Sequence, residues 1–319
     1  IMDHMKNIIK KRDLIDIRDL TKEEIYTIFE QAKFFKFQRK KKSVFFDDLK
    51  GKCIGLLFRK PSSRTRVSFE VAIIELGGIP IFLESSHLQI SRGETIQDTA
   101  RIFNFYLKGL VIRTFQQSEV KTFSRYFDHP VINALTDFSH PCQILADFFT
   151  IWEMRKTFNN IVITYIGDAN NICNTLIFAA DILGIRINVS APKQYSVAED
   201  IAKSMKNPEL LKVSDDPYAF ISQSDVIYTD TWVSMGDEAE KKQRLDVFKP
   251  YQVNSQLIEK APPDFLFMHC LPAHRGEEVT NQVIDGKNSV VLQQAENRLH
   301  IQKAVLWFLY NHSHCPIKN

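Results

Sequence analysis

Cys53-Ile54-Gly55-Leu56-Leu57-Phe58-Arg59-Lys60-Pro61-Ser62-Ser63-Arg64-Thr65-Arg66 is the stretch that decides how the chain reads. The apolar run from Cys53 to Phe58 predicts a buried strand. Beyond a polar turn a helix should begin, with Ser62 as its N-cap, Val67, Val71 and Ile74 at i, i+4 and i+7, and Gly77-Gly78 as its stop. Strand, polar turn and helix together make an anion site: the first-turn N–H groups lack intrahelical partners, the helix dipole is positive there, and Ser, Thr and Arg donors come from the same turn. Arg64 adds a two-pronged charged donor. The same pattern fits a capped surface helix with two solvated arginines, so the turn alone leaves both readings open.

A chain of 319 residues predicts about two domains. Its 44% hydrophobic and 25% charged residues are ordinary for a globular protein, and a net charge of +3 is too small to argue for nucleic acid or membrane partners. Small polar substrates fit better. The cysteines Cys53, Cys142, Cys173, Cys270 and Cys315 are scattered and odd in number, which favours reduced thiols and a cytoplasmic location over a disulfide framework. No apolar run is long enough to span a bilayer, and Lys6, Lys10, Lys11 and Arg12 interrupt any signal-like opening.

Along the chain, Leu14 to Lys42 reads as a helical opening with a capping box at Thr21 and Glu24 and a basic, solvated end at Arg39 to Lys42. A second strand at Ile79–Leu83, a polar loop at Ser85–Glu94 and a helix at Ile96–Leu107 follow. Short strands at Leu110–Ile112 and Val131–Ala134 end in Arg113-Thr114 and in Asp137-Phe138-Ser139-His140-Pro141-Cys142-Gln143, ahead of a helix at Ile144–Phe158. The second half restarts the alternation: strand Ile161–Ile166, turn Gly167 to Asn171, helix Ile172–Leu183 and strand Ile185–Val189 form a βαβ unit. Further strands are expected at Val226–Tyr228, Phe265–Met268 and Val290–Leu292, then a helix over Ala295–Tyr310. The fold class is therefore α/β, two domains each with a parallel sheet flanked by helices, changing near residue 150.

In such sheets ligands lie beyond the carboxyl ends of the strands. Arg64, Arg113 and His140 follow strands of the first half, and Asn171, Asp230, Cys270 and Arg298 follow strands of the second. Each alone can be packing or a turn; seven together predict a cleft that offers cations to an oxyanion on one side and an acid, an amide and a thiol to an amino acid on the other. A nicotinamide cofactor is disfavoured because the G-x-G-x-x-G fingerprint is missing after Ile166. Zinc on His269, Cys270 and His274 lacks regular ligand spacing, and a Cys270 nucleophile with His140 or His269 lacks a group to orient the base. No metal and no cofactor are expected.

Four segments, Ser62-Ser63-Arg64-Thr65-Arg66, His140-Pro141-Cys142-Gln143, Asp230-Thr231-Trp232-Val233-Ser234-Met235-Gly236 and His269-Cys270-Leu271-Pro272, resemble in order the signatures of the aspartate/ornithine carbamoyltransferase family. The last two look like its ornithine branch. Two positions depart from the pattern, Ser63 where Thr is usual and Arg59 where Glu is common. The resemblance implies a carbamoyl phosphate-binding domain over residues 1–150, with a C-terminal helix at about 297–319 packing back on it, and a Rossmann-like ornithine-binding domain over 151–296. It also implies site residues. Ser62, Ser63, Arg64 and Thr65 would hold the phosphate, joined by Gln89 lent by a neighbouring subunit of a homotrimer. Arg113, His140 and Gln143 would contact the carbamoyl group, with Thr65 and Arg113 on its oxygen. Asn171, Asp230, Ser234 and Met235 would bind the amino-acid end of ornithine, Cys270 and Leu271 would lie near its reacting amine, and Arg298 near the carbonyl. The implied reaction gives citrulline and phosphate by direct amine attack; alternatives are a transcarbamoylase for putrescine, an acylated ornithine or aspartate, or a non-catalytic binding protein of the same fold.

Overall fold

The computed structural model describes residues 12–84, 86, 88–233 and 238–311. The chain divides into two compact units: the first takes the described residues up to Asp19, Tyr26–Thr136 and those from Leu299 on, and the second takes Leu20–Ile25 and Asp137–Arg298. The change of unit at Thr136 falls ahead of the helix in which the sequence reading puts it.

The first unit is built on strands β1 (Cys53–Phe58), β2 (Ile79–Glu84), β3 (Gly109–Arg113) and β4 (Val131–Leu135), all parallel, in the order β2-β1-β3-β4. Its helices are α1 (Lys22–Lys40, entering from the second unit), α2 (Ser63–Glu75), α3 (Ile96–Tyr106) and α4 (Gln117–Tyr126). The capping box at the head of α1 is present in both directions: Glu24 N–H donates to Thr21 Oγ1 at 3.3 Å, and Thr21 N–H donates to Glu24 Oε2 at 2.9 Å. Between strand and helix faces lies a core of Leu57, Leu110, Ile112, Val120, Phe123 and Phe127. Helix α4 has no counterpart in the sequence reading, because only Val120, Phe123 and Phe127 mark its inner face among polar residues.

On α2 the structure corrects the predicted apolar face. Val67 and Ile74 are exposed, while Thr65, Phe69, Ala72, Ile73 and Leu76 face inward at i, i+4, i+7, i+8 and i+11. The helix is apolar on two sides. Periodicity alone selected the outer one.

The second unit carries β5 (Val162–Ile166), β6 (Arg186–Ser190), β7 (Leu211–Ser214), β8 (Val226–Thr229) and β9 (Leu266–His269), parallel throughout, in the order β7-β6-β5-β8-β9. Helices α5 (Pro141–Arg155), α6 (Asn171–Leu183), α7 (Glu199–Lys203), α8 (Lys241–Phe248), α9 (Ser255–Ile258) and α10 (Asn281–Ile284) belong to it, and α11 (Val291–Asn311) starts in it. Gly167, at φ +128°, makes the turn out of β5 in a backbone region that side chains disfavour. Residues 290–292 are not a strand: Val291 already begins α11, with a single bridge from Phe267 to Ser289 ahead of it. Arg298 therefore projects from the body of a helix and not from a strand end.

Candidate active site

In the first unit the carboxyl ends of β1 and β3 lie side by side, Phe58 opposite Arg113. Ser62 caps α2 in an extended conformation; its Oγ accepts from Thr65 N–H at 3.4 Å and donates to Thr65 Oγ1 at 3.0 Å. Thr65 is buried, whereas Ser63 and Arg64 are exposed at the helix start. Nearby cations are already committed: Arg66 pairs with Glu70 at 2.9 Å and stacks on Phe82, and Arg59 pairs with Glu119. Arg64 makes no ion pair or side-chain hydrogen bond among the described residues. Arg113 is buried at the end of β3, its carbonyl accepting from Arg59 N–H at 2.8 Å. Gln89 is exposed in a short 3-10 turn over Gln89–Arg92.

In the second unit, His140 to Gln143 are not a loop after a strand. Pro141 is the first residue of α5 and His140 its N-cap, with His140 N–H donating to Thr175 Oγ1 at 2.9 Å. His140 and Gln143 are both buried at this helix start.

The ends of neighbouring strands β5, β8 and β9 are joined by one carboxylate. Asp230 Oδ2 accepts from Asn170 Nδ2 at 2.9 Å, and its Oδ1 accepts from Cys270 Sγ and from Thr231 N–H at 2.8 Å. Asn170 also caps α6 through its Oδ1, which accepts from Ile172 N–H and Cys173 N–H. The sequence singles out Asn171; the structure adds Asn170 as the residue that touches Asp230, and an Asn just ahead of the apolar run from Ile172 is the cap signal that points to it. Burial and the Asp230 carboxylate push the Cys270 thiol well above its ordinary range, so it is a protonated donor and not a thiolate. Ser234 and Met235 lie outside the described residues.

His269 is fully buried and serves the turn after β9. Its Nδ1 accepts from Leu271 N–H at 2.9 Å and its Nε2 lies 3.0 Å from Glu278 Oε1, which occupies both ring nitrogens and removes it as a base for Cys270. Leu271 has φ +57° ahead of a cis bond to Pro272. Among the described residues, two groups bring possible metal-ligand atoms within 4.8 Å of one another, Asp230 with His269 and Cys270, and His274 with Glu277 and Glu278. In the first, the thiol keeps its proton and the imidazole its hydrogen bonds, which is poor ligand chemistry.

A family model described as aspartate/ornithine carbamoyltransferase, carbamoyl-P binding domain, matches residues 12–153, and one described as the Asp/Orn binding domain of the same enzymes matches 159–309. The chain belongs to the aspartate/ornithine carbamoyltransferase family. It is 48% identical over 300 residues to the protein of Pyrococcus furiosus named ornithine carbamoyltransferase, anabolic, covering 92% of this chain and 95% of that one. The solved ornithine carbamoyltransferase from Pyrococcus furiosus superposes with a TM-score of 0.89 over 93% of this chain and 96% of its own. The anabolic ornithine carbamoyltransferase from Campylobacter jejuni, 37% identical, gives a TM-score of 0.88 over 94% and 99%.

Within this family pattern the departure at Arg59 has a local account. Its charge is met by Glu119, which also accepts from Thr114 Oγ1, so Arg59 braces the ends of β1 and β3 and is held away from the turn at Ser62–Thr65. Asp168 and Arg244, which sequence reasoning left unassigned, form a buried ion pair; Arg244 Nε also donates to Trp232 O at 2.7 Å and so anchors the segment after Asp230. Distance in sequence hid that pair. Among the described residues no helix is long and apolar enough to cross a membrane.

Proposed function

We propose that the protein transfers the carbamoyl group of carbamoyl phosphate to the side-chain amine of L-ornithine, giving L-citrulline and phosphate. The observation that carries this reading is the uncommitted Arg64 guanidinium at a capped helix start, in a chain whose relatives are named for this reaction. Ser62, Ser63, Arg64 and Thr65 hold the phosphate; Arg113, His140 and Gln143 contact the carbamoyl group; Asn171, Asp230, Ser234 and Met235 bind the amino-acid end of ornithine. Cys270 and Leu271 flank the reacting amine and Arg298 the carbonyl.

The amine, lysine-like with a pKa of about 10.4, must lose its proton before it attacks. It then bonds to the carbamoyl carbon while Thr65, Arg113 and His140 stabilise the oxyanion. The C–O bond to phosphate breaks, and the phosphate, held by Arg64 and the helix start, leaves with a proton. Oxyanion donors are worth about 3 to 4 kcal/mol each and juxtaposition of two substrates about 7 to 11 kcal/mol, so positioning and electrostatics suffice without a covalent intermediate. No step needs a metal or a redox cofactor.

Ornithine is preferred to aspartate because the second carboxylate of aspartate would meet Asp230. We infer a homotrimer in which Gln89 reaches a neighbour's phosphate site; exposed Val67 and Ile74 on α2, with Ile79 and Ile81 on edge strand β2, supply an apolar face for that contact. The described cysteines are all free, in keeping with a cytoplasmic protein. Incubation with carbamoyl phosphate and, in turn, ornithine, putrescine, acetylornithine and aspartate tests the assignment: citrulline forms fastest. A faster ureido product from another amine would replace the substrate, and no product from any would end the enzyme reading.

A further inference from the structure

Buried in the second unit is a carboxylate that the mechanism above does not use. Asp147 is completely buried on α5, one turn after Gln143. Its Oδ1 accepts from Gln143 Nε2 at 2.8 Å and from Gln294 Nε2 at 2.7 Å, and its Oδ2 accepts from Tyr228 OH at 2.9 Å.

The orientation of both amides follows from hydrogen-bond logic. Gln294 Oε1 accepts from His269 N–H at 3.0 Å, and a backbone N–H can only donate, so Gln294 must turn its nitrogen to Asp147. Asp147 Oδ1 is thereby fixed as an acceptor. Gln143, on the same oxygen, must also turn its nitrogen inward, because its own oxygen there would face a carboxylate. The Gln143 Oε1 accepts no hydrogen bond among the described residues. Burial raises the Asp147 carboxyl to about 6 against the pull of its three donors and Arg298, which still leaves it ionised and accepting at neutral pH.

We propose that Asp147 is a positioning residue: it locks the Gln143 amide with its oxygen outward, so that the site presents a hydrogen-bond acceptor to the carbamoyl nitrogen and selects a carbamoyl over an acetyl phosphoanhydride. The inference rests on the proposed placement of carbamoyl phosphate at Gln143. Carbamoyl and acetyl phosphate share the phosphate and the carbonyl and differ in NH2 against CH3. Only the former can donate to Gln143 Oε1, and a site built to accept that bond leaves it unmade with the methyl analogue.

The test is binding of carbamoyl phosphate and acetyl phosphate to the full-length protein and to Asp147→Leu, Asp147→Asn, Gln143→Met and the Gln143→Met/Asp147→Leu double variant. The wild type prefers carbamoyl phosphate by about 10-fold, the size of one such hydrogen bond. Asp147→Leu loses that preference with acetyl phosphate affinity kept. Asp147→Asn restores it, since the Asn oxygen accepts from both Gln nitrogens and its nitrogen donates to the Tyr228 hydroxyl oxygen. The double variant is no worse than Gln143→Met, as expected of a residue that acts through another. Should Asp147→Leu fail to fold, Gln143→Met still decides: selective loss of carbamoyl phosphate supports the outward oxygen, and equal loss of both ligands means that Gln143 donates to the carbonyl, which overturns it. A folded Asp147→Leu with the wild-type preference also overturns it, as does a wild type that binds both ligands equally. Binding is read without ornithine, so absence of citrulline would sink the proposed reaction and leave this inference standing.

Discussion

The two units offer opposite kinds of strand end. In the first, the group best suited to a ligand, Arg64, is exposed and uncommitted, while its cationic neighbours Arg59 and Arg66 are held by Glu119 and Glu70. In the second, Asp230 already accepts from Asn170, Thr231 and Cys270, and Asp147 from Gln143, Gln294 and Tyr228. An anion site can thus be left open, because water solvates a free guanidinium well. A buried carboxylate, whether after a strand like Asp230 or on a helix like Asp147, cannot, because burial without donors is costly. A ligand at Arg64 or at Gln143 Oε1 would add interactions; one at Asp230 would have to exchange them.

Removing the open cation should do the most. Arg64→Ala is expected to raise the KM for carbamoyl phosphate about 100-fold, in line with loss of hydrogen bonds to a charged group, with the KM for ornithine little changed. Steady-state kinetics with each substrate varied checks this, and a near-normal carbamoyl phosphate KM would remove Arg64 from the site. Asp230→Asn should raise the KM for ornithine about 30-fold and spare carbamoyl phosphate binding. The split between substrates is the diagnostic; equal effects on both would mean that Asp230 only supports the loop.

The units also differ in how acid acts on them. In the first, burial and the charges of Lys36, Lys303, Arg39 and Lys40 lower His300 from 6.5 to about 3. A depressed folded pKa means that its contribution to stability is complete above 6.5 and is lost as pH falls toward 3. In the second, Asp147 is raised from 3.8 to about 6, so its contribution is complete below 3.8 and is lost as pH rises through 6. Between pH 6.5 and 4.5 the two act in opposite directions, so the expectation is a difference between proteins: on acidification the thermal midpoint of His300→Gln should gain about 4 °C on that of the wild type. Calorimetry of both proteins at both pH values reads it; an equal shift in the two would acquit His300. The smallest effect is expected from Glu119→Gln, which frees Arg59 beside the anion turn and should lower the KM for carbamoyl phosphate about 3-fold at low salt, fading as salt rises. A raised KM would show that Glu119 matters through its grip on Thr114.

Much of this was legible in the chain. The strand at Cys53–Phe58, the Ser62 cap and the parallel α/β alternation follow from local apolar runs and turn chemistry, and the structure carries them. What escaped is where two patterns compete. Val67 and Ile74 share a helical stripe but face outward, since Phe69 and Ile73 define the buried side of the same helix. Pro141 reads equally as a loop residue or as a first helical residue, and it is the latter. Val290–Leu292 is an apolar triplet of strand type that starts a helix, which moves Arg298 off a strand end. Asn170 carries a local cap signal, but its hydrogen bond to Asp230 spans 60 residues, and the partners Tyr228 of Asp147 and Asp168 of Arg244 lie 81 and 76 residues away, a distance that no local pattern reports.

Direct transfer between the two substrates is tested most simply by NMR of a turnover with 13C-carbamoyl phosphate and ornithine labelled with 15N on its side-chain amine. The account predicts citrulline with a one-bond 13C–15N coupling, phosphate released in equal amount, and no labelled protein in a rapidly quenched sample. A carbamoylated protein that forms and decays at the rate of turnover, or a 13C label that never reaches the ornithine nitrogen, would contradict it.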